Sequence, residues 1–390
     1  MKRVVLLGGG HAHVHVLRAL AATPLAGAQV QLVTPFRRQM YSGMVPGLIA
    51  GHYSADDCAI PLPPLAQAAK VEFIDGAAAG LDAGRRWLTL ADGRRLDYDV
   101  LSVDTGATMP RDLIPGAREH GLFVRPIEHF VQLFGGVLAL AAKRPLDIVV
   151  IGGGAAGFEL ALAVSHRLGR AGVGSRAEVD GDGDGDGDGD GDVSRIALVL
   201  GGAALLPGYP QAVVDRALRV LRQHRITLLP VLCTGIDGGH VHLDNGARLA
   251  CDVPLIAVGT GAPGWLVGSG LQLDAAGFIN TGTTLQSLSH PNVFAAGDVA
   301  SRPDAPHARS GVYAVRAGPP LAENLRRLVG AGELLTHEPG PRTLNLLSCG
   351  GRRAIMSWGR WSAEGRWVWW WKDHIDAKFV RRYTLKADEP

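Results

Sequence analysis

Apolar residues cluster in short runs that are followed by glycines, and this pattern predicts alternating strands and helices. Val4 to Leu7 forms the first run, Gly8-Gly9-Gly10 follows at once, and residues 11–22 have the apolar spacing of a helix. A second short run covers residues 30–33. Short continuous apolar runs bounded by glycine are typical of buried strands. The chain therefore begins with a predicted strand, turn, helix and strand, which is a βαβ unit.

The same pattern recurs in the middle of the chain. Residues 148–151 form an apolar run, Gly152-Gly153-Gly154 follows, and residues 155–167 have helical spacing before the next run at 196–200. Further strands are predicted at 71–74, 87–90, 95–103 and 293–296. The segment 37–53 is rich in Gly, Pro and Met, and we predict a long loop there.

An Asp-Gly repeat from Asp180 to Asp192 separates the second helix from its next strand. The repeat has low complexity, high charge and no apolar residue, so we predict that it is disordered. Its start also fits the opening of a calcium-binding EF-hand loop. Position 12 of that loop would be Val193, where a bidentate glutamate is needed, so calcium binding is the weaker alternative.

The composition is that of a globular protein. The 390 residues suffice for two or three domains, and 47% of them are apolar and 19% charged. There are 39 Lys and Arg against 37 Asp and Glu, but seven of the acidic residues lie in the Asp-Gly repeat. The rest of the chain is therefore mildly basic, which favours anionic ligands such as dinucleotide phosphates or an anionic membrane surface. No motif supports nucleic-acid binding.

The four cysteines, Cys58, Cys233, Cys251 and Cys349, are too far apart to form a CxxC or CxxxxC pair. We therefore expect neither a disulfide nor a zinc site, and a reducing cytoplasmic compartment fits. The N-terminal apolar run is too short for a signal peptide. No run of about 18 apolar residues exists, so no membrane-spanning helix is expected.

The segment from Gly152 to Glu159 matches the GxGxxG pattern between a strand and a helix. Gly152 permits the turn, Gly154 lets the backbone approach a diphosphate, and Gly157 allows close packing of helix on strand. The helix N-terminus offers free N–H groups to the phosphates. Glu159 either stabilises the first helical turn or contacts nicotinamide, and it is our catalytic candidate. No acidic residue follows the next strand at Gly201, so the sequence does not choose between NADH and NADPH.

The upstream glycine motif departs from this pattern. It keeps the first two glycines but has His13 in the third position, where a side chain pushes the helix and strand apart. The next strand ends at Thr34, where an acidic residue would usually hold the ribose hydroxyls. We still predict a dinucleotide site, with His11 near the ligand. A βαβ unit without a ligand is the alternative, and a metal site at His11, His13 and His15 lacks other clustered ligands.

These segments together resemble the pyridine nucleotide-disulfide oxidoreductase superfamily over residues 1 to about 330. Val103-Asp104-Thr105-Gly106 is similar to the turn beside FAD, and Val258-Gly259-Thr260-Gly261 to its counterpart in the NAD half. The late Gly297-Asp298 is similar to the motif whose carboxylate meets the ribityl or phosphate region. The implied FAD-binding residues are Gly8, Gly9, Gly10, His11, Ala12, Thr34, Ala78, Thr105, Gly106, Gly297 and Asp298. The implied NAD(P)-binding residues are Gly152, Gly154, Gly157, Glu159 and Gly259.

The resemblance implies an α/β fold with two Rossmann-like, three-layer dinucleotide-binding domains. The NAD(P) domain, residues 111–260 with the Asp-Gly loop at 179–192, is inserted in the FAD domain. The FAD domain comprises residues 1–110 and 261–330. A small α+β tail, the Trp-rich residues 331–390, completes the chain.

The chain lacks the CxxxxC pair of glutathione and lipoamide reductases, and it resembles the type II NADH dehydrogenases instead. Their helix under the flavin is similar to the segment from Ser310 to Arg316, with Asn324. The closest resemblance, through Gly8 to Val14, Tyr41 to His52 and the Trp-rich tail, is to the flavoprotein module fused ahead of selenide, water dikinase. The implied enzyme passes a hydride from NAD(P)H to FAD and electrons to a quinone-like or other small acceptor. The alternatives are a sulfide- or selenide-oxidising flavoenzyme, which needs a cysteine pair at the flavin, and a non-catalytic FAD-binding redox sensor.

Residues 367–383 are predicted to be a strand end that runs into a short helix. Four apolar residues at a spacing of four form a stripe along it, with basic residues at its sides. The stripe contains Trp371, Ile375, Phe379 and Tyr383, and the basic residues are Lys372, Lys378, Arg381 and Arg382. Such a helix can contact a membrane surface and admit a quinone. It can equally pack on the FAD domain or on a partner subunit, and the sequence does not predict the oligomeric state.

Overall fold

The structure is a computed structural model that describes residues 1–171, 193–202, 204–340 and 342–385. The Asp-Gly repeat, and with it the predicted disorder and the calcium alternative, lies outside the described residues.

Strands and helices alternate along most of the chain, as the apolar runs predict. The first part contains β1 (Lys2–Leu7), α1 (His11–Ala22), β2 (Ala28–Thr34), β3 (Arg38–Met40), α2 (Val45–Ala50), β4 (Ala59–Pro61), α3 (Leu62–Ala68), β5 (Glu72–Asp75), β6 (Ala78–Asp82), β7 (Trp87–Leu90), β8 (Arg95–Asp97) and β9 (Val100–Val103). The middle contains α4 (Ala117–His120), β10 (Leu122–Phe123), α5 (Ile127–Ala141), β11 (Asp147–Ile151), α6 (Ala155–Ala171), β12 (Arg195–Val199), α7 (Gln211–Gln223), β13 (Thr227–Leu229), β14 (Cys233–Ile236), β15 (His240–Leu243), β16 (Arg248–Ala250) and β17 (Val253–Ile256). The last part contains β18 (Ile279–Asn280), β19 (Val293–Ala295), β20 (Ala300–Ser301), α8 (Gly311–Val329), β21 (Leu344–Ser348), β22 (Ala354–Trp358), β23 (Trp361–Gly365) and α9 (Arg366–Tyr383).

The first domain is built on a five-stranded parallel sheet with the strand order β19-β9-β1-β2-β5. Helices α1, α3 and α8 pack on one face, and the antiparallel β6–β8 sheet covers the other. The sheet strands are buried on both faces, which explains why β1 and β9 are continuous apolar runs rather than alternating ones.

The second domain repeats this plan. Its parallel sheet has the order β10-β17-β11-β12-β13, with α5, α6 and α7 on one face and the antiparallel β14–β16 sheet on the other. The first sheet takes strands from before and after this unit, so the second domain is inserted in the first, as predicted. The residue boundaries of the predicted domains stay a prediction.

The predicted loop at 37–53 is the clearest departure in this part of the chain. It contains strand β3, a 3-10 turn at Ser42–Met44 and helix α2. Pro46 lies in the first turn of α2, and Gly51 follows its end in a left-handed conformation with φ 84°. Proline at a helix start and glycine just past its end are favourable, so the residues that indicated a loop are in fact the two ends of a short helix.

The tail is a three-stranded antiparallel sheet, β21–β22–β23, followed by the long helix α9. The predicted strand end at residue 367 is wrong, because the helix begins at Arg366. Aromatic residues favour strands, but here one helical face packs on the body of the protein and overrides that preference. This buried face contains Val368, Lys372, Asp376 and Val380. None of the described helices is long and apolar enough to cross a membrane.

The predicted apolar stripe on α9 is therefore only half correct. Phe379 and Tyr383 pack on the first domain, but Trp371 and Ile375 are 40% and 37% exposed. Lys372, one of the basic residues predicted at the sides of the stripe, is buried.

Candidate active site

A cavity of about 470 Å³ lies beyond the carboxyl ends of β1, β2 and β9. This edge of a parallel sheet is where α/β folds bind their ligands. Almost all residues predicted to bind FAD line the cavity, namely Gly8, Gly9, Gly10, His11, Thr34, Ala78, Thr105, Gly106, Gly297 and Asp298. Ala12 does not line it, because this residue lies one step further into α1 and is buried.

The backbone around the glycine turn is too close-packed for side chains. Gly8 has φ +94°, and a Cβ there would collide with the backbone of Asp104. A Cβ on Gly10 would collide with the Asp104 side chain. Gly106 also has a positive φ, +72°, and faces open space. These positions form a narrow cradle of exposed backbone, which fits the approach of a dinucleotide diphosphate to a helix N-terminus.

His13, the residue that breaks the glycine motif, does not push α1 away from the sheet. Its ring is fully buried, with Nδ1 2.6 Å from the carbonyl oxygen of Gly8 and Nε2 2.8 Å from Oγ of Ser102. Burial lowers the pKa of His13 to about 4, so the imidazole is neutral. The ring thus replaces a glycine contact with a polar bridge between the turn and β9.

Asp104 completes this arrangement. Its Oδ2 accepts hydrogen bonds from the backbone N–H groups of Ala12 and His13, each at 2.8 Å. The carboxyl therefore caps the N-terminus of α1, where donors would otherwise lack partners. Asp104 belongs to the Thr-Gly turn motif, but no sequence pattern predicts this cap.

Asp298 also lines the cavity and forms an ion pair with Arg125 at 3.0 Å. Gly297, with φ +71°, lets the 3-10 turn at Gly297–Val299 place this carboxylate on the cavity. Arg125 lies between β10 and α5 of the second domain, so nothing in the sequence pattern linked it to Asp298. A carboxylate and a guanidinium at one wall supply hydrogen-bond acceptors and donors for a polar ligand.

His11 and Gln39 form the third wall. The Gln39 amide nitrogen donates to the carbonyl oxygen of Met40 at 2.9 Å and contacts His11 Nδ1 at 3.3 Å. Burial lowers the pKa of His11 to about 4. Among the described residues, His11 Nε2 and Gln39 Oε1 are buried without a hydrogen-bond partner. Buried polar atoms normally have partners, so this wall fits a ligand with polar groups.

Thr34, at the end of β2, is almost fully buried at the far end of the cavity. Its Oγ1 accepts a hydrogen bond from the Phe36 N–H at 3.3 Å, so the hydroxyl hydrogen stays available to a ribose. Ala78 begins β6 beside it and also lines the cavity.

The second glycine motif has the expected geometry. Gly152 has φ +133°, and a Cβ on Gly157 would collide with the carbonyl oxygen of Gly152, so helix α6 packs closely on the turn. Gly154 and Gly259 face open space. This turn lies at the carboxyl end of β11, and the geometry fits a dinucleotide diphosphate at the N-terminus of α6.

Glu159 lies deeper than the sequence suggested. Its Oε1 accepts a hydrogen bond from the Ser348 N–H of strand β21 at 2.7 Å. Burial raises the pKa of Glu159 to about 7, although the nearby Lys372 ammonium acts in the opposite direction. Glu159 thus connects helix α6 to the tail.

Helix α9 packs behind the cavity-lining residue His11. The Phe379 ring stacks on Tyr41 with centroids 4.4 Å apart and lies 5.8 Å from the His11 ring. Lys372 Nζ donates to Asp376 and to the carbonyl oxygen of Gly43, both at 2.6 Å. The tail therefore packs against residues next to the cavity, although none of its described side chains lines the cavity itself.

Comparison with known proteins agrees with this geometry. The chain is 25% identical over 339 residues to the probable ferredoxin reductase CtmF of Castellaniella defragrans, covering 85% of this chain and 75% of the relative. It is 25% identical over 330 residues to the alternative NAD(P)H-ubiquinone oxidoreductase C1 of Arabidopsis thaliana, covering 77% of this chain and 62% of the relative. The sulfide:quinone oxidoreductase structure from Aquifex aeolicus has the same fold, with a TM-score of 0.77 and 17% identity over 100% of this chain and 93% of that one.

The family model for pyridine nucleotide-disulphide oxidoreductases matches residues 2–318. This match confirms the two-domain α/β fold, the oxidoreductase activity and the two cofactors, FAD and NAD(P)H, that the sequence motifs implied. The chain belongs to the pyridine nucleotide-disulphide oxidoreductase family.

Proposed function

We propose that this protein is an NAD(P)H:quinone oxidoreductase that meets its acceptor at a membrane surface. The observation that carries the proposal is the position of helix α9. One side of the helix packs beside the candidate FAD cavity, where Phe379 stacks on Tyr41 and lies 5.8 Å from the cavity-lining His11, and the opposite side carries exposed aromatic residues. When bound, FAD takes a hydride from NAD(P)H and passes the electrons on to the acceptor.

The exposed side of α9 has the character of a membrane-contact surface. Trp367, Trp370 and Trp371 are 57%, 60% and 40% exposed, and Ile375 lies beside them. Single exposed apolar residues are common, but a cluster of this size on one helix indicates an apolar partner. The exposed basic residues Lys378, Arg381 and Arg382 continue the same helix and suit anionic lipid headgroups.

The relatives support the same class of acceptor, because one of them is an NAD(P)H-ubiquinone oxidoreductase and a structural neighbour uses quinone. Within the site, we propose that Asp298 and Arg125 hold the polar part of FAD and that the glycine turns hold the two diphosphates. We propose that Glu159 acts through Ser348 and the tail, and not by direct contact with nicotinamide, because its carboxyl is buried under β21.

A sulfide-oxidising activity is the second candidate, and the cysteines argue against it. All four are buried and none forms a disulfide. Cys349 lies in the tail, directly after β21, but burial raises the pKa of its thiol well above the usual range, which disfavours a reactive thiolate.

A reoxidation experiment tests the proposal. The protein is reduced anaerobically with NADH or NADPH and mixed with a water-soluble short-chain quinone, with ferredoxin or with buffer. We expect fast return of the oxidised flavin band with the quinone and slow return with ferredoxin and with buffer. Fast reoxidation by ferredoxin alone would assign a protein acceptor instead, and no reoxidation by either acceptor would favour a redox sensor.

A further inference from the structure

We propose that Asp104 makes FAD binding dependent on pH, so that the protein holds FAD with its carboxyl protonated and loses affinity as the carboxyl ionises. The observation behind this proposal is an acidic side chain built into the part of the site that receives an anion. A helix N-terminus after a glycine turn normally leaves its N–H groups to the diphosphate. Here two of those groups, from Ala12 and His13, are bonded to Asp104 Oδ2.

The second carboxyl oxygen faces the same space. A Cβ on Gly10 or on Gly297 would collide with Oδ1 of Asp104, and both glycines line the cavity. Asp104 is only 2% exposed, so water does not screen its charge. An ionised carboxyl would therefore repel the two negative charges of a bound diphosphate, whereas a protonated one can donate a hydrogen bond from Oδ1.

The charged groups around Asp104 do not neutralise it. From α1, His11 and His13 are both neutral above pH 5, because burial lowers the pKa of each to about 4. From the 3-10 turn comes Asp298, which adds negative charge and is ion-paired with Arg125. Among the described residues, no basic side chain forms an ion pair with Asp104.

These surroundings place the ionisation of Asp104 in a pH range that can be reached in a binding experiment. Burial raises the pKa of Asp104 to about 8, and Asp298 adds to this effect, while the two N–H groups act in the opposite direction. Asp104 is thus neutral near pH 7 and charged above pH 9. Binding of FAD favours the neutral form, so affinity falls as pH rises through this range. Linkage of one proton limits the fall to about tenfold per pH unit.

The test measures FAD affinity between pH 6.5 and 9.5 by the fluorescence of released FAD. The wild-type dissociation constant is expected to rise above pH 8 with a slope approaching tenfold per pH unit. Asp104→Asn keeps an oxygen for the two N–H groups but cannot ionise, so its affinity should not change over this range. Asp112→Asn, a substitution of an exposed aspartate paired with Arg118, should retain the wild-type slope.

A flat wild-type profile, or an unchanged slope in Asp104→Asn, would overturn the proposal. If Asp104→Asn fails to fold, a second measurement that needs only the wild-type protein still tests the proposal. Calorimetric titration of the apoprotein with FAD at pH 8.5, in buffers of different ionisation enthalpy, should show uptake of a fraction of one proton. Absence of proton uptake would contradict the proposal equally. Neither result depends on the electron acceptor, so the proposed quinone reductase activity is tested separately.

Discussion

His13 shows how a single residue can break a motif without breaking the site. A histidine in the third glycine position predicts a wider gap between helix and strand, yet the ring fills a prepared space between Gly8 and Ser102. The contact that compensates for the missing third glycine comes from Ser102 of β9, which is far away along the chain. We therefore treat His13 and Asp104 as one unit, because both act on the N-terminus of α1.

We predict that His13→Ala lowers the free energy of unfolding by about 2–4 kcal/mol. The substitution removes two buried hydrogen bonds and leaves a cavity beneath the glycine turn. Urea denaturation measures the change, and the exposed His120→Ala serves as the control. A loss below about 0.5 kcal/mol would mean that the polar bridge has no structural role.

Glu159 provides a prediction with a defined pH window. Its pKa is raised from 4.5 to about 7 in the folded protein, so the folded state holds a proton that the unfolded state has lost. This extra proton stabilises the folded state. Its contribution to the free energy of unfolding is fully present below pH 4.5 and disappears as pH rises to 7. We expect Glu159→Gln to remove this dependence, which amounts to up to about 3 kcal/mol between pH 4.5 and 7.

The measurement is urea denaturation of the wild type and of Glu159→Gln at pH 5 and pH 8. For each protein, the change in the free energy of unfolding between the two pH values is determined, and the two changes are then compared. The exposed Glu119→Gln should behave as the wild type. If Glu159→Gln and the wild type respond equally to pH, the carboxyl is not protonated in the folded protein.

At the scale of secondary structure, helix α9 is held by charges on its buried face. Lys372 and Asp376 lie one turn apart, are 8% and 5% exposed, and form an ion pair at 2.6 Å. Tyr53 adds a hydrogen bond from its hydroxyl to Asp373. A buried ion pair contributes little net stability, but each partner needs the other.

We therefore predict that Lys372→Met destabilises the protein by about 3–5 kcal/mol, because Asp376 is left buried and charged. Adding Asp376→Asn should restore a large part of that loss, since no unpaired charge remains. The free energies of unfolding of the two single variants and the double variant give the coupling. Additive effects would show that the two side chains do not interact.

The sequence predicts a structural element well when the residues that determine this element are adjacent in the chain. Strand β1, helix α1 and the two glycine turns follow from adjacent residues, and the prediction placed them within one or two positions of the observed ends. The helix within residues 37–53 was missed because Pro46 and Gly51 have one meaning in loops and another at helix ends.

Long-range pairs in the site could not be predicted. Asp298 followed from a motif, but its partner Arg125 lies in a connection without any recognisable pattern. Gln39 and Asp104 act on residues of α1 that are distant in sequence. Such contacts depend on how whole helices and strands pack together, so no local pattern in a single sequence predicts them.

In the molecule as a whole, the tail contacts both domains. Strand β21 bonds to Glu159 of the second domain, and α9 packs on the first domain beside the cavity. The exposed tryptophans thus lie on the outer side of a helix whose inner side packs next to the cavity-lining His11. Under the proposed function, this outer side is the surface that would meet the membrane.

We predict that the protein binds vesicles containing anionic lipid through this surface. Replacing Trp370 and Trp371 together by Gln should weaken binding at least about tenfold, because two large apolar side chains no longer enter the interface. Val267→Gln, which alters an 82% exposed apolar side chain outside the tail, is the matched control. Sedimentation with vesicles measures binding, and equal binding of all variants would exclude the tail as the contact.

The central claim is that NAD(P)H reduces FAD in this protein, and an anaerobic titration of the purified protein tests it most directly. The visible flavin band is recorded while NADH or NADPH is added in small steps. We expect the band to bleach at about one equivalent of at least one of the two nucleotides, which also identifies the donor. A flavin band that persists in excess of both nucleotides would contradict it.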